Sequence, residues 1–132
     1  MTDRTSATEL AVAAAVAADD LKATDIVVFE VGPILAICDI FVLASASNTR
    51  QVAAIANEVE EQVFVALDRR PTAVEGLDSK RWVLLDYGDV VVHVFLDEER
   101  HFYRLDRLYG DAARIAWEPA VSGDALEGKR IV

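Results

Sequence analysis

Arg81-Trp82-Val83-Leu84-Leu85-Asp86-Tyr87-Gly88-Asp89-Val90-Val91-Val92-His93-Val94-Phe95 is the stretch that decides the fold. Two strand-forming runs flank Tyr87-Gly88, and glycine supplies the positive φ of a tight reversal. With Tyr87 and Gly88 as the loop, Asp86 stands opposite Asp89, Leu84 opposite Val91 and Trp82 opposite His93. Side chains alternate along a strand, so Trp82, Leu84, Asp86, Asp89, Val91 and His93 share one face. Val83, Leu85, Val90, Val92 and Val94 share the other, which reads as core. Two carboxylates facing each other across a strand pair repel. An accessible Trp and Leu beside them is the composition of a docking site for a basic, partly apolar protein surface. The competing reading is a buried Trp82 with the acids as ordinary turn residues.

The length of 132 residues suits one domain, and a hydrophobic content of 53% is ample for its core. Net charge is −10, from 23 acids against 13 bases. The excess is spread along the chain, with seven acids and two bases in residues 1–47 alone. Such a surface repels phosphate backbones and argues against extensive direct nucleic-acid binding, whereas a basic protein partner is electrostatically easier. The single cysteine, Cys38, allows no intramolecular disulfide, which fits a reducing compartment. No run approaches the ~18 apolar residues of a membrane span, and the Ala-rich N-terminus makes a poor signal peptide. A cytoplasmic protein without membrane contact is expected.

Ser6-Ala7-Thr8-Glu9 fits a capping box ahead of a helix with Leu10, Ala13, Ala14, Ala17 and Leu21 at helical spacing. A strand follows at Ile26–Val31, broken by Gly32-Pro33, and a second at about Ile37–Ala44. The small-residue loop Ala44–Thr49 leads to a helix capped by Ser47 or Asn48. Its apolar stripe is Val52, Ile55, Ala56, Val59, Val63, Ala66 and Leu67, and Arg69-Arg70-Pro71 ends it. A short strand at Thr72–Glu75 precedes the hairpin. A third helix opens at Asp97 and stops at Gly110, with Arg100, Arg104 and Arg107 on a salt-bridged exposed side. The expected fold is α/β (α+β): one mixed sheet with helices packed on it. Residues 1–112 form the domain, and 113–132 a flexible C-terminal tail around an ordered stub at Trp117.

Catalytic signatures are sparse. Neither phosphate-loop spacing occurs, and one Cys with two His gives no zinc pattern. No cofactor, metal or catalytic residue is assigned. The one enzymatic alternative is acidic: Asp39, Asp86 and Asp89 could hold a divalent cation for nucleotidyl transfer. Each also has a simpler explanation as a turn, cap or contact residue. A lone His93 on a strand opposite Trp82 reads as packing, His101 carries no assignment, and Cys38 reads as a small buried apolar residue.

Cys38-Asp39-Ile40-Phe41-Val42-Leu43-Ala44-Ser45 running into Ser47-Asn48-Thr49-Arg50-Gln51-Val52 resembles the ribosomal silencing factor family, also called Iojap-like. Val74-Glu75-Gly76, the hairpin from Trp82 to Val94 and Phe102–Tyr109 extend the likeness over residues from about 8 to 112. The resemblance implies a five-stranded mixed sheet similar to a nucleotidyltransferase fold that lacks its active site. It implies binding to ribosomal protein L-fourteen on the large ribosomal subunit, a block on small-subunit joining, repression of translation and homodimer formation. It places the partner contacts on Trp82, Asp86, Tyr87 and Asp89, with Leu84 and His93 as neighbours. This chain has Cys38 where typical members have Thr, and Ala46 where they often have Gly. These departures leave partner binding untouched and weaken a catalytic reading of that loop.

Overall fold

The computed structural model describes residues 4–33, 38–103 and 112–118, without the side chains of residues 4–5 and 101–103. Helix α1 spans Arg4–Asp20 and is followed by strands β1, Thr24–Glu30, and β2, Ile40–Ala46. Helix α2, Thr49–Leu67, leads to β3, Ala73–Glu75. The hairpin strands are β4, Trp82–Asp86, and β5, Val90–Leu96; α3, Asp97–Tyr103, and β6, Ala113–Arg114, close the order. The six strands form one mixed sheet in the order β3-β4-β5-β2-β1-β6. β2 and β5 run parallel at its centre, and every other pairing is antiparallel. The expected α/β class and mixed sheet hold, with a sixth strand added at the edge.

Alternation along the two central strands assigns the faces. Ile40, Val42, Ala44 and Ala46 of β2 join Val90, Val92, Val94 and Leu96 of β5 in the core beneath α1 and α2. The odd-numbered residues of β5 and Phe41 and Leu43 of β2 point the other way. There a second cluster gathers Phe29, Val31, Cys38, Phe41, Leu43 and Phe95, with Trp82 and Val91 against it. All seven residues of β2 are buried, as expected of a strand covered on both faces.

Local chemistry sets the element ends. Asn48, in extended conformation, caps α2 by accepting the Gln51 N–H at 2.8 Å, which settles the choice between Ser47 and Asn48. Asp68 ends the helix in the left-handed region at φ 56°, its N–H donating to Phe64 O at 2.8 Å. The capping box at Ser6 is a correction: α1 already begins at Arg4, so Ser6 lies inside the first turns. Ala7, Ala11, Ala14, Ala15 and Ala18 of α1 are all buried, and small side chains let the helix lie close to α2 and the sheet. The side-chain amide of Gln51 donates to the Leu21 and Lys22 carbonyls, joining α2 to the turn after α1. Arg100 of α3 is buried and donates to the Asp25 carbonyl and to Ser45 Oγ, anchoring α3 beside the β1 bulge.

β6 continues the sheet past the expected domain boundary at 112. Its residues pair with Phe29 and Glu30, Ile115 N–H donates to Val28 O at 2.9 Å, and the Trp117 indole donates to Ile26 O at 3.3 Å. Trp117 is thus part of the domain. The expected Gly110 stop, Arg104, Arg107 and the tail beyond residue 118 lie outside the described residues.

Gly76 and Gly88 both sit at φ 91°, yet they differ in surroundings. A Cβ on Gly76 would fall 2.0 Å from the Trp82 carbonyl oxygen, whereas one on Gly88 meets nothing within 4 Å. Gly88→Ala should cost about 1–2 kcal/mol of unfolding free energy, from backbone strain alone. Gly76→Ala should cost at least about 3 kcal/mol, because the β3–β4 connection must also move. Urea unfolding of the two variants checks this; equal losses would contradict the close approach.

Candidate functional site

The hairpin turn is Gly88-Asp89, one residue later than the sequence suggests. Tyr87 N–H donates to Val90 O at 2.9 Å, and the ladder pairs Asp86 with Val91, Leu84 with His93 and Trp82 with Phe95. The expected opposition of Asp86 to Asp89, Leu84 to Val91 and Trp82 to His93 is therefore corrected by two residues of register. A shift of two preserves which side each residue faces. Trp82, Leu84, Asp86, Val91 and His93 do share the face away from the helices, as expected, and Phe95 joins them.

The two aspartates do not confront each other. Asp89 sits in the turn and is clamped by Arg69, whose Nη2 lies 2.9 Å from Oδ1 and Nη1 3.2 Å from Oδ2. The same guanidinium donates to the Tyr87 carbonyl at 2.9 Å. Only 7% of the Asp89 side chain is exposed, and its main-chain carbonyl accepts from the N–H groups of Asp39 and Ile40. The carboxylate raises the pKa of Arg69, mainly through this hydrogen bond. Asp89 thus joins the turn to the end of α2 and the start of β2. Asp86 acts within the turn instead. Its Oδ1 accepts the Gly88 N–H at 2.8 Å, an Asx-type turn that shapes the reversal. Mutual repulsion of Asp86 and Asp89 accordingly drops out as an argument for a partner.

Tyr87 lies on the helix side, 3% exposed, within the larger core. Burial first, and then the charge of Glu60, pushes its phenol up to about 12 against the opposing effect of Arg69. Among the described residues, its hydroxyl has no hydrogen-bond partner.

The open part of the face is a pair of adjoining hollows. One, of about 420 Å³, is lined by Cys38, Phe41, Thr72, Glu75, Leu84, Asp86, Gly88, Val91 and His93. The other, of about 250 Å³, is lined by Glu75, Gly76, Trp82 and Leu84. Glu75 and Leu84 belong to both, so the hollows form one groove beside β4. The described residues lining it include the carboxylates of Glu75 and Asp86 and no Lys or Arg. Trp82 and Leu84 are partly buried there; Glu75 stands across from Leu84, and Trp82 and Asp86 lie on either side of Leu84 along β4.

His93 lies beneath Trp82. Its Nδ1 accepts the indole N–H of Trp82 at 3.1 Å. An indole N–H only donates, so Nδ1 carries no hydrogen, and the neutral ring is protonated on Nε2. Nε2 is buried and has no partner among the described residues. Phe41 meets the imidazole edge-on at 4.7 Å between centroids, and Phe95 stacks on it at 5.9 Å. Phe95 also lies 4.9 Å from the indole. Burial pushes the imidazole down to about 4. Cys38, at the groove floor, is pushed up to about 11 by burial and then by the charges of Asp39, Asp86 and Asp89, so it stays a thiol at neutral pH.

The acidic alternative fares poorly on geometry. Among the described residues, no three His, Cys, Asp or Glu side chains are placed to hold a metal ion. Asp89 is taken by Arg69, Asp86 by its own turn. Sequence reasoning missed three contributors. Glu75 and Thr72 reach the groove only because β3 pairs with β4. Arg69 looked like a helix-ending cation. Its role follows from the return of the chain beside β2, which no local pattern announces.

Comparison with known proteins places the chain. A family model described as "Ribosomal silencing factor during starvation" matches residues 4–130. The chain belongs to the ribosomal silencing factor family. A relative in Bacillus subtilis strain 168, "Ribosomal silencing factor RsfS", is 43% identical over 102 residues, covering 75% of this chain and 83% of its own. The chloroplastic protein Iojap of Zea mays is 37% identical over 107 residues, covering 80% of this chain and 45% of its own. A crystal structure of a protein from Chromobacterium violaceum superposes with a TM-score of 0.74 at 30% identity, covering 87% of this chain and 94% of that one. The family match runs past residue 112, in keeping with the placement of β6 and Trp117 inside the domain. Among the described residues, no helix is long and apolar enough to cross a membrane.

The buried imidazole of His93 gives the chain's stability a pH dependence. The folded value of about 4 lies below the ordinary 6.5, so the unfolded chain takes up this proton first as pH falls. The contribution is full above about 6.5 and is lost progressively towards about 4. Between pH 7.5 and 4.5 it should amount to about 2–3 kcal/mol in urea unfolding. His93→Gln, which cannot titrate, should lack that component. An unchanged pH slope in the variant would contradict the burial of a neutral ring.

Proposed function

We propose that this chain represses translation without catalysing a reaction, by docking on the large ribosomal subunit through ribosomal protein L-fourteen and occupying space that the small subunit needs. The single observation that carries the docking face is the groove: Trp82 and Leu84 partly accessible in one row with Asp86, Glu75 across from Leu84, and no cation among the described residues lining it. An aromatic anchor beside carboxylates suits a basic protein surface. The net charge of −10 supports a protein contact over a phosphate backbone. Family membership supports the ribosome as the assembly. The contacts proposed are Trp82, Leu84 and Asp86, with Glu75 added. Tyr87 and Asp89 shape the turn that carries them, and His93 supports the indole from below. Homodimer formation and a cytoplasmic site of action, implied by the family resemblance, complete the proposal.

Trp82→Ala should weaken binding to isolated large subunits by at least about thirtyfold, the weight of a buried aromatic anchor of ~2 kcal/mol or more. Asp86→Lys should slow association and flatten its dependence on salt. Cosedimentation with large subunits, followed by an assay of small-subunit joining, checks both. A folded Trp82→Ala chain that cosediments and blocks joining like the unaltered protein would place the docking face elsewhere.

A further inference from the structure

Among the described residues, Trp82 is the large aromatic of the groove whose ring is partly accessible, and its orientation is not left to packing. The indole rests on Phe95 at 4.9 Å, and its N–H is held by His93 Nδ1 at 3.1 Å. His93 is 4% exposed and itself gripped by Phe41 and Phe95. The acceptor is therefore fixed, and its hydrogen bond holds the indole with the N–H pointing inward. The arrangement has a cost: a buried Nε2–H goes without a partner among the described residues. An apolar ring at position 93 would fill the space and avoid that cost.

We propose that His93 is the positioning residue of the docking surface: through Nδ1 it turns the Trp82 indole so that its apolar edge, rather than its N–H, is offered to the partner. The proposal rests on the docking face described above and says what that face requires. The partner meets an apolar indole edge with Glu75 in the same hollow and Asp86 beyond Leu84, which fits a polypeptide segment with an aliphatic or aromatic contact next to Lys or Arg. His93 need not touch the partner. An imidazole with its hydrogen on Nε2 is uncharged, so it leaves the acidic character of the groove intact.

The test is a double-mutant cycle between Trp82→Phe and His93→Phe, with binding to purified ribosomal protein L-fourteen as one readout and indole NMR of the free protein as the other. In the free, ¹⁵N-labelled chain, a coupling across the hydrogen bond between Trp82 Nε1 and His93 Nδ1 is expected, and this needs no variant. His93→Phe should shift the Trp82 indole proton and open it to solvent exchange. The indole of Trp117, bonded to Ile26 O, should be unaffected. Binding should weaken about three- to tenfold, the usual effect of one such hydrogen bond. In the Trp82→Phe background the same change should have no further effect. His93→Asn, which offers an oxygen near the place of Nδ1, should restore part of the affinity.

Losses that simply add, or a Trp82 indole proton indifferent to residue 93, would overturn the positioning role while leaving the docking face standing. An unaltered chain that fails to bind ribosomal protein L-fourteen would overturn the docking reading and this proposal with it. The absence of the cross-bond coupling in the free protein would overturn the positioning role by itself, whether or not the variants fold.

Discussion

Strand β5 is enclosed between β2 and β4, and this leaves each of its side chains only two destinations. Val90, Val92, Val94 and Leu96 go under the helices; Val91, His93 and Phe95 go to the opposite face. The parallel ladder from Ile40–Val90 to Ala46–Leu96 fixes this choice over seven consecutive pairs, since a slip of one residue would exchange the two faces. Everything at the site follows from it. Trp82, Leu84 and Asp86 lie beside the odd-numbered residues of β5, and Val83 and Leu85 beside the even-numbered ones. One face is spent on α1 and α2, and the other is free to hold an aromatic cluster with an open groove at its margin.

The reversal joining β4 to β5 is held by three elements at once. Arg69 reaches from the end of α2 to the Asp89 carboxylate and the Tyr87 carbonyl. The start of β2 donates two N–H groups to the Asp89 carbonyl, and Asp86 closes on Gly88. A hairpin tip is commonly among the more mobile parts of a domain. Here it is tied to helix and sheet, so the groove beside β4 is presented on a rigid support. Preorganisation of this kind lowers the ordering cost of binding.

Much of this was legible in the residues, and the misses have identifiable causes. Alternation of apolar residues over 82–86 and 90–96 identified the two faces correctly, because that signal depends on parity and not on the turn. The turn itself was displaced by one residue. Tyr87-Gly88 looked like the loop because Gly88 can take positive φ; in the fold Tyr87 is drawn into the core beneath α2, and Gly88-Asp89 makes the reversal. Burial of an aromatic body outweighed the local preference. The pairing of two aspartates was an artefact of that displacement, and the cation that satisfies Asp89 lies twenty residues earlier in the chain. β6 was missed because two residues carry no periodicity. Their strand character comes from the free edge of β1 and from Trp117 beside it. Ser6-Ala7-Thr8-Glu9 satisfied the capping pattern, yet the helix starts before it, since an Ala-rich segment propagates in either direction.

We propose the face of β4 turned away from the helices as the one that the ribosome covers. Radical footprinting of side chains, free and bound to isolated large subunits, tests it most directly. Oxidation of Trp82 and Leu84 should fall sharply on binding, while Trp117, Phe64 and Val65, the last two exposed at the end of α2, should keep their free-state rates. Unchanged oxidation of Trp82, with protection appearing instead at Phe64 and Val65, would contradict it.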